Sequence, residues 1–334
     1  WDRANARVKR ALFRQFRLLS SDEAREFFVG RSTDMELPDR SNYIDWMMLG
    51  QSARDEALFE SLLDDEDPQI SQSAADRLKR MASSAYVERM VDRLAGRFRL
   101  ENADTEDPKI TFDPIEELTT AMKRDTVDRQ PPRDLSKEEG WLFYMMTCIP
   151  PRYWTDWLGK PPAELVRIGQ AQKEIYIQAW VRAANYHRDM DWANALIDHL
   201  LETEETHLLS WLMDVLPQEA REDVTLRVWR KSSKSVYINA MLPGSQPWSP
   251  SLSREVVDLY NVALEEDIAE ALRWIRHGLA NHVYYLHASV YDDLCTLLSQ
   301  YTEGEDVNDD TRKRIDEALH VLAARRDIGG AFDV

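Results

Sequence analysis

The sequence predicts an all-α protein, a degenerate solenoid of antiparallel helix hairpins, on three observations. Apolar residues recur at three- and four-residue intervals along most of the 334 positions, glycine is scarce at 11, and charged residues reach 31% beside a 43% hydrophobic share. Helices need one apolar stripe and a polar remainder, whereas hairpin sheets need Gly-rich turns and period-two alternation, and no alternating Val/Ile/Thr run is present.

The first helix is expected over about residues 2 to 19, with Val8, Leu12, Phe16 and Leu19 on its apolar side. Arg3, Arg7, Arg10, Arg14 and Arg17 step by four, three, four and three, which makes one basic stripe. Such a stripe suits an acidic partner surface or a phosphate backbone, and it suits equally a solvated face or one that meets the chain's own carboxylates. A short helix then ends at Gly30, and a polar loop around Pro38 leads into residues 43–49.

The clearest unit lies at about 53–100. Leu58, Phe59, Leu62 and Leu63 share a helical face, and the acids Asp64, Asp65, Glu66 and Asp67 stop it. Asp67 is placed to cap the next helix, and Pro68 fits the first helical position, where an N–H would have no partner. Asp64 to Glu66 are expected to face water. Ile70, Ala74, Ala75, Leu78 and Met81 form a second apolar face whose paired alanines permit close helix approach. If Leu78 lies in that core, Leu78→Ala is expected to cost roughly 2–5 kcal/mol. The order resembles a HEAT-type unit, "helix, Asp-Pro-x-Val-Arg, Ala, Leu", with Ser71 in place of the usual Arg.

Three regions follow: 1–100, an acidic and Pro-containing connection at 101–136, and a helical-repeat region at 137–334. Glu101 to Asp107 interrupts the periodicity, and Asp113-Pro114-Ile115-Glu116 has the layout of a capped helix start. Pro131-Pro132 marks the best boundary. Ser136 to Glu139 opens a helix carrying Trp141, Leu142, Met145 and Met146, which Pro150-Pro151 ends. Hairpins are expected at 170–186 with 192–201 and at 208–216 with 220–229. A loop at 243–248 breaks the array, and helices resume near Ser253, Asp267, Val283 and Thr311. No exact repeat period survives.

Several of these segments together resemble an uncharacterised bacterial family of helical-repeat proteins, a domain of unknown function. They are Asp55-Glu56-Ala57-Leu58-Phe59-Glu60-x-Leu62-Leu63-x-Asp65, Ala74-Ala75-x-x-Leu78, and Ser84-Ala85-x-x-x-Arg89-Met90-x-x-Arg93. Gly140-Trp141-Leu142, Pro150, Trp154, Trp180 with Ala183-Ala184, Trp192-Ala193 and Pro247-Trp248-Ser249 continue the series over about residues 50 to 260. The resemblance implies a HEAT-like helical protein without assigned catalytic residues, encoded near AAA+ ATPases and von Willebrand factor A proteins.

The net charge of −18 opposes a nucleic-acid module, because phosphate binding rests on Lys and Arg displacing counterions. Cys148 and Cys295 lack partner spacing and read as buried thiols of a reducing, cytoplasmic compartment. No apolar run is long enough to span a bilayer. Trp1 stands where an initiator Met would, as expected of a trimmed or processed piece.

Chemistry-bearing patterns are few. His277, His282 and His287 step by five, about 140° per residue pair on a helix, so they do not share a metal-binding face. Asp306-x-Asn308-x-Asp310 with Glu317 has the spacing of a calcium loop, but Thr311 replaces the turn glycine, and helix capping by Asp309 or Asp310 is the simpler reading. Trp180, Trp192, Trp211, Trp229 and Trp274 fit helical cores, while Trp154, Trp157 and Trp248 sit beside Pro-rich turns, where they either staple a loop or present a binding surface. There is no nucleophile elbow, Gly-rich phosphate loop or dinucleotide fingerprint, so no cofactor is expected.

The function expected is a non-catalytic scaffold or adaptor for a protein partner, in an ATPase-containing assembly by the resemblance. Its candidate contacts are Arg3, Arg7, Arg10, Arg14, Arg17, Trp154, Trp157 and Trp248. The alternative is an enzyme with a cleft between helices, such as a HEAT-like DNA glycosylase, which the acidity opposes.

Overall fold

Asn5 begins the helical run by accepting from the Val8 N–H, and Asp67, Ser84, Thr119, Ser136 and Asp189 start later helices in the same way. The computed structural model describes residues 5–132, 134–172, 174–203, 205–231, 247–266, 279, 282–302 and 309–332. Two compact units divide at Thr203 and Glu204. Among the described residues no helix is long and apolar enough to cross a membrane.

The first unit contains α1 (Ala6–Leu19), α2 (Ser21–Val29), α3 (Leu37–Trp46), α4 (Glu56–Leu62), α5 (Pro68–Leu78) and α6 (Ala85–Leu94). A hairpin of β1 (Phe98–Glu101) and β2 (Lys109–Phe112) follows, then α7 (Thr120–Arg124), α8 (Lys137–Cys148), α9 (Arg152–Leu158), α10 (Pro162–Gln172), α11 (Glu174–His187) and α12 (Met190–Glu202). Helices two apart in sequence meet, α3 on α5, α6 on α8 and α10 on α12, and α8 also packs on α11. The predominantly helical class expected from the sequence is therefore observed, as is the joint at Asp67 and Pro68, where Asp67 accepts from the Gln69 N–H and Pro68 opens α5. Leu78 is fully buried.

In three places the structure corrects or adds to what the sequence predicts for this unit. The stretch around Glu101 to Asp107 is the turn of an antiparallel hairpin, which sets Phe98 opposite Phe112 and Leu100 opposite Ile110 on one face. Only four residues per strand alternate, too short a run to show in the sequence. No helix starts at Asp113. Its N–H extends the strand ladder to the Arg97 carbonyl, its carboxylate pairs with Arg99, and the Asp113 and Pro114 carbonyls accept from the Arg97 guanidinium.

The third correction concerns α1, which buries Phe13 and Arg17 while Val8, Leu12 and Leu19 face outward. Phe13 inserts edge-on against Tyr43, with ring centroids 4.8 Å apart, and also meets Trp46. The Lys9 ammonium reaches Asp39 at 3.2 Å from the same side. The receiving surface is thus built of aromatic rings and acceptors, and it takes a ring and cations rather than the aliphatic stripe.

The second unit holds α13 (Leu209–Met213), α14 (Gln218–Lys231), α15 (Pro250–Glu266), α16 (Tyr291–Thr302) and α17 (Asp309–Phe332). Its core gathers Trp248, Leu252, Tyr260, Leu286, Leu298 and Leu322. The Glu222 carboxylate on α14 accepts from the Ser249 N–H and hydroxyl, and Ser249 Oγ in turn accepts from the Leu252 N–H at the start of α15. Trp229's side chain, Asp267, Trp274 and His277 lie outside the described residues.

Candidate functional site

Arg17 leaves the predicted basic stripe: its side chain is fully buried, and every guanidinium N–H has an acceptor. Nε donates to the Leu49 carbonyl, Nη1 to Ser21, and Nη2 to Met47 and Gly50, so one side chain satisfies the carbonyls left open beyond α3. Its charge meets Asp55, Nη2 to Oδ2 2.7 Å, and Arg25 reaches the other carboxylate oxygen at 3.0 Å. Gly50 is required here: its φ is +65°, and a Cβ would sit 3.1 Å from the Arg17 carbonyl oxygen.

Arg7, Arg10 and Arg14 remain on the outside of α1 and make no ion pair among the described residues, while Arg3 lies outside them. The same outward arc carries Val8, Leu12, Leu18 and Leu19, the last 85% exposed. These four are the largest group on one helix among the exposed large hydrophobic residues described.

The tryptophans expected beside turns do not present a surface, with one partial exception. Trp154 is fully buried, edge-on to Phe98 at 4.8 Å and to Trp157 at 5.1 Å. Trp180 and Trp192 extend the cluster, 5.2 Å apart. The indole N–H groups of Trp154, Trp180 and Trp192 have no acceptor among the described residues, so these rings serve as apolar wedges. Trp157 is half-buried. Trp248 is buried, stacks on Tyr285 and donates its backbone N–H to the Tyr285 carbonyl. Trp211, expected in a core, is 37% exposed.

A second polar centre joins α4, α6 and α7. Asp125 is almost fully buried and accepts from Arg89, Nε to Oδ2 3.0 Å and Nη2 to Oδ1 2.8 Å, and from Arg93 Nη2 at 2.5 Å. Arg89 and Arg124 share Glu60, and Arg124 also holds Asp64 at 2.7 Å. The acids expected to face water are thus partly engaged, since Asp65 pairs with Arg40 and accepts from the Asp67 N–H. Arg89 and Arg93 share one face of α6, and their partner leaves no local signal in the sequence, because Asp125 lies 32 residues beyond Arg93.

Behind Asp125 runs a hydrogen-bond chain whose direction is fixed at both ends, since a guanidinium only donates and a carbonyl only accepts. Arg129 donates to Thr126 Oγ1 at 2.8 Å, Thr126 lies 3.4 Å from the Tyr144 hydroxyl, Tyr144 donates to Tyr86 at 2.7 Å, and Tyr86 donates to the Asp125 carbonyl at 2.9 Å. Thr126 holds φ at +56°, a strained setting for a β-branched residue, and these bonds fix it there. Burial raises both phenols well above their ordinary range.

Cys148 is fully buried, and burial pushes its thiol up to about 11, which keeps it protonated and unreactive. His187 donates Nε2–H to the Cys148 carbonyl at 3.0 Å, and burial lowers its imidazole to about 4. In the second unit His282 lies 2.6 Å from the Tyr260 hydroxyl and is likewise lowered to about 4 by burial. His287 instead caps the short turn at Ala288–Val290. Thr311 to Glu317, placed in a calcium loop by spacing alone, are helical in α17, with Asp310 paired to Arg314 and Lys313 to Glu317. Asp306 and Asn308 lie outside the described residues.

One cavity of about 400 Å³ is lined by Val283, Tyr284 and α17, including those paired charges. A groove of about 500 Å³ between α2 and α4 has Val29, Ala57 and Leu58 on its apolar side and Arg25, Glu26 and Arg54 at its rim. Arg25 and Arg54 both hold Asp22, so their charge is met within the chain. The charged centres described here act as joints between helices.

No curated protein and no solved structure matches the chain. A family model covers residues 1–332, and the chain belongs to the family of unknown function DUF5691.

Proposed function

We propose that this chain is a non-catalytic helical scaffold or adaptor that docks a protein partner. The observation that carries the reading is the outward arc of α1, where Val8, Leu12, Leu18 and Leu19 are exposed beside Arg7, Arg10 and Arg14. Exposed aliphatic groups gathered on one helix and flanked by charge are a common feature of docking surfaces. The contacts of α3 on α5, α6 on α8 and α10 on α12 support a HEAT-like stack of hairpins as its architecture, with the Arg17–Asp55 and Arg89–Asp125 centres as rigid joints. A cytoplasmic setting and an ATPase-containing assembly with AAA+ or von Willebrand factor A proteins are the first place to seek the partner, on the resemblance read from the sequence.

Affinity capture with crosslinking from native lysate tests this. A protein retained by the wild-type chain and lost from Leu12→Asp/Leu19→Asp supports the scaffold, provided both chains unfold at the same urea concentration. Recovery no better than an empty resin overturns it.

A further inference from the structure

We infer that Arg80, Arg152 and His187 form a binding site for hydrogen phosphate, the two guanidinium groups meeting its anionic oxygens and His187 Nδ1 accepting from its hydroxyl. The site is separate from the outward face of α1 and does not rest on the scaffold reading.

Three segments distant in sequence meet there. His187, the last residue of α11, donates Nε2–H to the Cys148 carbonyl at 3.0 Å, and Arg152 opens α9 four residues beyond Cys148. Arg80, just past the end of α5, holds its guanidinium 4.3 Å from the ring centre of Tyr186, the neighbour of His187. The charges that act on the His187 imidazole are those of Arg152 and Arg80. Arg152 is exposed while Arg80 and His187 are half-buried, so the site opens to solvent on the Arg152 side, where a long unpaired side chain can swing over a bound ion.

The polar atoms of this cluster are unmet. Arg80 Nε and His187 Nδ1 are both buried with no hydrogen-bond partner among the described residues, and neither Arg80 nor Arg152 makes an ion pair among them. Asp76 is the carboxylate that acts on Arg80, and it is already held by Lys79 at 2.7 Å and by Arg129 at 2.9 Å. Lys123, Lys137 and Arg167 also lack a carboxylate, but all three are exposed and water answers them. Arg80 differs, because its Nε is shut in, and a covered donor without an acceptor costs free energy that a bound anion would recover.

Donor and acceptor roles select the ion. A carbonyl only accepts, so Nε2 carries the proton of the neutral imidazole and Nδ1 presents a lone pair. Burial keeps that imidazole neutral at neutral pH. The occupant must therefore bring one O–H donor for Nδ1 together with anionic oxygens for the guanidinium groups. Hydrogen phosphate has both. Sulfate has no proton to offer, and a phosphomonoester, whose second pKa is about 6, has mostly lost its own. Hydrogen carbonate keeps a hydroxyl but sets a single charge against two cations.

Calorimetric titration of the full chain with sodium phosphate, at neutral pH and constant ionic strength, tests the site. Phosphate is expected to bind about tenfold or more tightly than sulfate, hydrogen carbonate or a phosphoserine peptide. Arg80→Gln and Arg152→Gln should each weaken phosphate about tenfold or more, whereas Arg167→Gln, which removes another exposed arginine without an ion pair, should not. His187→Gln retains a donor for the Cys148 carbonyl and has no acceptor at Nδ1, so it should bring phosphate down to the level of sulfate. Arg152 is exposed, so its variant should keep the wild-type urea midpoint and carries the test even if Arg80→Gln fails to fold. Added phosphate should raise the midpoint of wild type and leave that of Arg152→Gln in place. Absence of phosphate binding overturns the inference. So does equal affinity for phosphate and sulfate, or an equal loss in Arg152→Gln and Arg167→Gln, since the chain would then hold anions by diffuse charge alone.

Discussion

Arg17 and Asp55, 38 residues apart, form an ion pair from which water is excluded, with Nη2 and Oδ2 2.7 Å apart and neither side chain exposed. A buried charge is tolerated only when its partner and its hydrogen bonds are complete, and here Arg25 and the Ser52 N–H complete the carboxylate as the carbonyls beyond α3 complete the guanidinium. Asp55→Ala strands Arg17 without a counter-charge. It is expected to lower stability by about 3–5 kcal/mol, read from urea denaturation. A loss below about 1 kcal/mol, the size of an ordinary exposed pair, would contradict the joint.

The orientation of α1 is tested separately. Phe13→Ala removes a ring held between Tyr43 and Trp46 and is expected to cost about 3–5 kcal/mol. Leu12→Ala, next to it in sequence but about half exposed, should stay within about 0.5 kcal/mol. Equal losses at the two sites, or a larger one at Leu12, would restore the inward aliphatic face that the sequence pattern suggests.

Periodicity revealed the helices, and local chemistry revealed two of their starts: Asp67-Pro68 and Ser136 with Glu139 cap as their spacing predicts. Which side of a helix is buried was less legible. On α1 Val8, Leu12 and Leu19 point out while Phe16 is half-buried against Phe27, because the receiving surface supplies rings and carbonyls, and no local pattern encodes what a distant segment offers. The acids after α4 show the same limit. Asp64 and Asp65 read as solvated, yet Arg124 and Arg40 reach them from 60 and 25 residues away. Asp55, Glu60, Arg89 and Arg93 have no partner that periodicity could name, and they prove to be joints because their counter-charges come from other helices and turns.

Gly169 is a packing requirement hidden inside α10. A Cβ there would lie 2.5 Å from Trp180 Cζ3 and 2.9 Å from Cη2. That ring is wedged against Trp154, Tyr176 and Trp192, so it has nowhere to swing. Gly169→Ala is expected to destabilise by about 1–3 kcal/mol despite the better helix propensity of Ala. Near-UV circular dichroism should weaken with the stability loss, since the substitution disturbs the tryptophan cluster. A stabilised variant with an unchanged aromatic spectrum would show that α10 and α11 stand further apart.

Acid sensitivity should appear in both units, because each buries a neutral histidine. Burial holds His187 and His282 near 4, against 6.5 in the unfolded chain, and for His187 the Arg152 and Arg80 charges act in the same direction. Between those values the unfolded chain binds protons that the folded chain does not, so stability is full above about pH 6.5 and falls as pH drops towards 4. The fall is at most about 3 kcal/mol per histidine. Asp76 adds to it only at lower pH: burial would raise its carboxyl, but Lys79 and Arg129 outweigh that and hold it below 3.8. Urea midpoints recorded from about pH 7 down to about pH 4.5 should therefore decline steadily. His187→Gln and His282→Gln should each flatten part of the slope, whatever they do to stability at neutral pH. If the midpoints of wild type and variants run parallel across that window, the two imidazoles titrate normally and are not buried as described.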